Sequence, residues 1–98
     1  MAKRKDSLQL YGTITGEDVA GLHHRVRELL ASRSRKVLRV SAADLEYIGV
    51  AGLQILLAAT RCIRERGGDV ELVGDTSRLQ RSLDLAGLSG ALRPAERT

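Results

Sequence analysis

The chain has 98 residues, 43% of them apolar, which suits one domain with one modest core, and its only aromatic residues are Tyr11 and Tyr47, so that core must be aliphatic. The formal net charge is +4, yet no aromatic stacking platforms interleave the basic residues, which argues against a specific nucleic-acid binder. Cys62 is the single cysteine, leaving no internal disulfide or cysteine metal cluster, and no run near 20 apolar residues points to a transmembrane helix.

Residues 1–6 are polar and basic and are expected to form a disordered lead-in to a domain spanning residues 7–93, with residues 94–98 frayed. No apolar run follows "MAKRKDS", so no secretory leader is expected and a reducing cytoplasm is the default setting. "SLQLYGTIT" then alternates, with Leu8, Leu10, Gly12 and Ile14 facing one way, as in a half-buried strand. Gly12 suggests a bulge or the close approach of another backbone.

Thr15 followed three residues later by Asp18 resembles a helix start, with Asp in place of the usual Glu or Gln. Val19, Leu22, Val26, Leu29 and Leu30 recur at helical spacing and predict an amphipathic helix. His23 and His24 are adjacent and project about 100° apart on such a helix, so they do not form a metal-ligating pair. "KVLRV" reads as a short buried strand and "SAADLEYI" as a connection.

After Gly49 comes a helix apolar around most of its girth, through Leu53, Ile55, Leu56, Leu57 and Ile63, ending at Gly67-Gly68. "DVELV" is a further strand. A third helix follows, with Ser77 and Gln80 fitting a capping box and Gly87-Leu88 a glycine stop with its hydrophobic latch. "ALRPAERT" is a candidate last edge strand. Alternating strands and helices predict an α/β layer fold with a small, mostly parallel sheet and helices packed against it.

The turn Gly49-Val50-Ala51-Gly52 stands where a strand end meets a helix N-terminus, a place suited to an Asp, Ser or Thr that does chemistry. It holds no hydroxyl, carboxylate, thiol or imidazole. No nucleophile with an adjacent base is apparent, and "RGGDVELVG" lacks the phosphate-loop pattern. The reading is therefore a protein without enzymatic activity, cofactor or metal. The helix N-termini at Gly49 and at Asp75-Thr76 also suit an anion, but no Lys or Arg adjoins either turn, which weighs against a ligand sensor.

The order of these pieces resembles the STAS domain, the module of bacterial anti-sigma factor antagonists. The resemblance covers about residues 7 to 93. "LYGTIT", "VLRVSAADLEYIGVAGLQILL", "GGDVELVG" and "LQRSLDLAGL" carry it. In regulated members the central turn has an Asp-Ser-Ser-Gly-Leu type sequence, whose first Ser receives a phosphoryl group from a partner that is both kinase and anti-sigma factor. Aligned on Gly52-Leu53, that Ser falls on Val50, the acid before it on Gly49 and the second Ser on Ala51. Two further family acids fall on Ser41, at the expected end of the central strand, and on Thr15.

The resemblance implies a protein-interaction module without the usual Ser phosphorylation. Its partner-binding residues would be Thr15, Gly49, Val50, Ala51, Gly52, Leu53 and Gln54. The implied partner is an anti-sigma factor or switch kinase. Alternatives are a chemotaxis-linked or other signalling protein, or the ATPase of a lipid-transport ABC transporter to which the chain would be an accessory subunit. A weak homodimer is compatible with the same reading.

Overall fold

A computed structural model describes residues 5–31 and 37–92. Strand β1 (Lys5–Ile14) sets Leu8, Leu10 and Ile14 into the core, as its alternation predicts, and starts two residues before the expected boundary. Helix α1 (Asp18–Leu30) buries Leu22 and Val26. Strand β2 (Val37–Ile48), helix α2 (Val50–Glu65), strand β3 (Asp69–Val73) and helix α3 (Ser77–Leu85) follow. The sheet is three-stranded, in the order β1-β2-β3, with both pairings parallel. This is the α/β layer fold with a parallel sheet that the alternation of elements predicts.

Four local expectations need correction. "SAADLEYI" is not a connection: β2 runs through it to Ile48. Its alternation breaks because the β1–β2 register shifts twice, so that Ser41–Ile48 of β2 faces only Gln9–Ile14 of β1. Each extra residue flips the strand's facing, and the buried positions go from Leu38, Val40 and Ala42 to Leu45 and Ile48. Gly12, at φ 67°, sits at the second shift, consistent with the bulge expected there.

The second correction concerns α1. Thr15 does not begin it; a turn closed by Asp18 N–H to Thr15 C=O (3.0 Å) comes first, and Gly16 takes φ 55°. Only a long contact survives of the capping arrangement, Thr15 N–H to Asp18 Oδ2 at 3.5 Å. Third, Ser77 does not cap α3 with Gln80 as its partner. Ser77 is the first helical residue, and Gln80 Nε2 donates instead to the carbonyl of Leu92 at 3.0 Å. Fourth, Ala91 and Leu92 are bent chain rather than strand, while the rest of that candidate strand lies outside the described residues, as do the frayed terminus and most of the lead-in.

Both predicted glycine stops are present. Gly67 (φ 87°) and Gly68 close α2, with Gly68 N–H reaching the Ile63 carbonyl at 3.0 Å. Gly87 (φ 75°) closes α3, with Leu88 N–H to the Leu83 carbonyl at 2.7 Å and Leu88 latched onto the core.

Helices α1 and α2 pack on one another, and α3 packs against β2. One aliphatic cluster joins all six elements, including Leu10, Leu22, Leu45, Leu53, Leu72 and Leu79. The opposite sheet face is polar: Ser7, Gln9, Tyr11 and Thr13 of β1 are exposed, and Arg39 pairs with its register neighbour Glu71 at 3.3 Å. At the β1 margin, Arg25 Nη1 of α1 donates to the Gln9 carbonyl at 3.0 Å, and its guanidinium lies 5.7 Å from the centre of the Tyr11 ring.

Candidate functional site

Ile14 and Ile48 end neighbouring parallel strands as direct register partners. Their side chains are buried, and they form the platform for the β2–α2 turn. Gly49 N–H donates to the Ile14 carbonyl (3.0 Å), tying the turn to β1, and the Gly49 carbonyl accepts the first helical bond from Leu53 N–H (3.0 Å). The Ile48 N–H donates to Ser82 Oγ of α3 at 3.2 Å, in the interior. Sequence reasoning missed Ser82. Its signal was a lone small hydroxyl on the apolar stripe between Leu79 and Leu83.

The two glycines of the turn differ. Gly52 is buried, and a Cβ there would lie 2.8 Å and 2.9 Å from side-chain atoms of Ile48. Close packing therefore demands glycine at 52. Gly49 has an ordinary extended backbone (φ −78°, ψ 174°), and a Cβ there would begin 3.4 Å from the Thr15 methyl. Neither conformation nor space therefore requires glycine at 49.

Around that platform the predicted partner-binding residues divide into two groups. Val50 is 50% exposed, and Ala51, Gln54 and Thr15 are exposed beside it. Leu53 is 0% exposed and, with Gly52, faces inward as support. The structure thus brings Thr15 beside the turn: it follows Ile14, whose carbonyl takes the Gly49 N–H, and its methyl group would lie 3.4 Å from a Cβ at 49. It does not bring Ser41 there: Ser41 lies mid-β2, half-buried, between Gln9 and Val73.

No side chain caps α2, and its first turn holds no acidic residue, so the partial positive charge of the helix N-terminus stays uncompensated from within. At the start of α3 the chain supplies its own acid. Asp75 Oδ1 accepts Ser77 N–H (2.9 Å) and the Ser77 hydroxyl (2.5 Å). The Ser77 hydroxyl, then its N–H, holds the Asp75 carboxyl below its usual range. Among the described residues no group of three or more His, Cys, Asp or Glu side chains is placed to hold a metal ion, and no helix is long and apolar enough to cross a membrane.

A turn with a half-exposed valine at its apex, on a rigid aliphatic platform, offers shape and apolar surface rather than a reacting group. The family model described as "Mlab, STAS domain" matches residues 1–94. Anti-sigma-B factor antagonists of Listeria monocytogenes serovar 1/2a and Listeria innocua serovar 6a are each 29% identical over 90 residues, covering 89% of this chain and 79% of theirs. The solved structure of the Bacillus cell fate determinant SpoIIAA in its phosphorylated form superposes with a TM-score of 0.69 at 12% identity, covering 98% of this chain and 86% of that one. At that identity the likeness speaks for the fold.

Proposed function

Because this chain belongs to the STAS domain family and is anti-sigma factor antagonist-like, we propose that it binds an anti-sigma factor or switch kinase through the β2–α2 turn, without serine phosphorylation there. The exposed set is Thr15, Val50, Ala51 and Gln54. Gly49, Gly52 and Leu53 hold that set in place. The joint exposure of Val50, Ala51, Gln54 and Thr15 around the turn carries this reading, because together they offer a partner a small, partly apolar patch where a lone exposed side chain would not.

Phosphorylation in this fold adds roughly −1.5 to −2 charges at a helix N-terminus. Val50 has no oxygen to accept a phosphoryl group, so the family's charge switch cannot operate at that position. Control at the turn then falls to the amounts of the two proteins, to the partner, or to another hydroxyl of the exposed set, Thr15.

The test is Val50→Asp. Val50 is the first residue of α2, where a carboxylate stabilises the helix by about 0.3–1 kcal/mol. The variant is therefore expected to fold, and a thermal melt matching wild type separates loss of binding from loss of fold. Affinity capture from a lysate of the source organism, read by mass spectrometry, compares it with wild type. The expected result is a protein with an ATP-binding kinase fold held by wild type and lost by Val50→Asp. Identical partners in both samples would remove the turn as the binding surface. A transporter ATPase or a chemotaxis protein lost in the same way would keep the surface and reassign the pathway.

A further inference from the structure

Helices α1 and α2 leave between them a groove of about 550 Å³, whose apolar lining includes Val19, Leu30, Ile55 and Ala58. Ala51 and Gln54, two of the predicted partner-binding residues, form its end nearest the turn. The groove thus continues the surface assigned above, and the inference rests on that reading. From Ala51 to Cys62 it follows α2 for about 16 Å, at a rise of about 1.5 Å per residue. That length fits roughly three turns of a partner helix.

The charge of the groove selects its occupant. Its lining carries Arg27 and His23 and no carboxylate. Arg27 is exposed and has no ion-pair partner among the described residues. At the turn end, the first turn of α2 holds no acid to offset the helix dipole. We infer that the α1–α2 groove receives an acidic amphipathic helical segment of the protein partner. Aliphatic anchors at i, i+3 or i+4, and i+7 fill the groove, and flanking carboxylates meet Arg27 and the α2 N-terminus.

A displayed library of random 14-residue peptides, selected on the folded full-length protein, tests this directly. Enriched peptides are expected to carry net negative charge and aliphatic residues at helical spacing. Their affinity should fall at least tenfold on Ala58→Glu and on Arg27→Glu, as measured by fluorescence anisotropy. Both substitutions sit at exposed helix positions, and thermal melts confirm that the variants fold. Failure to enrich any peptide overturns the inference. So does enrichment of neutral or basic peptides, or of peptides that bind both variants as tightly as wild type. Displacement of the selected peptides by myristate at low micromolar concentration would assign the groove to an acyl chain and overturn it too. The turn itself is judged separately, by Val50→Asp in the capture experiment, since Val50 does not line the groove.

Discussion

Helices α2 and α3 begin in comparable places, each just beyond the C-terminal end of a parallel strand, yet their first turns are secured by opposite means. At α3 the chain answers its own helix with Asp75, whose carboxylate takes both the N–H and the hydroxyl of Ser77. At α2 no side chain caps the end, and the turn is held from beneath by Leu53, Gly52 and the two isoleucines. A terminus that satisfies itself has little to offer a partner. One held only from below keeps its outer surface available, and Val50, Ala51 and Gln54 occupy that surface.

Stability measurements can break or sharpen this contrast. Leu53→Ala removes a fully buried anchor under α2 and should cost about 2–5 kcal/mol in urea denaturation. A smaller loss would mean that the terminus is not held by packing. Gly52→Val drives atoms into Ile48 and should destabilise by about 3 kcal/mol, near the upper end of overpacking effects. Gly49→Ala should cost no more than about 1 kcal/mol, because the space at 49 admits a methyl group. Equal effects at the two glycines would erase the distinction drawn between them.

Ser82→Ala strips the Ile48 N–H of its buried acceptor and should cost about 1–3 kcal/mol. The smallest effect belongs to α3. Asp75→Ala should lower the melting temperature slightly at pH 7, since the carboxylate it removes is exposed. Its pH dependence has a definite sign. The folded state holds the Asp75 carboxyl below its unfolded value, so its contribution is complete above the unfolded pKa and disappears as pH falls through the lower, folded one. Melts of wild type and Asp75→Ala should therefore converge below roughly pH 4. A gap that persists in strong acid would place the effect elsewhere than in the carboxylate.

What the sequence discloses depends on how local each signal is. The core stripe of α1 and the glycine stops at Gly67 and Gly87 are legible because each is written within a few neighbouring residues. The second half of β2 is not. Its bulges exist only relative to β1, and they convert an alternating strand into the spacing Ala42, Leu45, Ile48, which no strand template matches. At α3 the local signal is ambiguous rather than distant: Asp75 and Ser77 are both competent acceptors, and it is Asp75 that takes the Ser77 N–H and hydroxyl. At the site, the composition of the turn and its neighbour Thr15 were readable. The groove beside it was not, because it depends on how far apart α1 and α2 come to rest.

Arg25 bears on how the molecule behaves in concentrated solution. β1 is a margin of the sheet, and a margin of unpaired backbone groups is a template on which another chain can crystallise a further strand. By taking the Gln9 carbonyl and spreading over Tyr11, the Arg25 guanidinium occupies one of those groups and sets a positive charge on the margin. Among the described residues, an incoming strand on this side would have to displace that clasp and meet its charge.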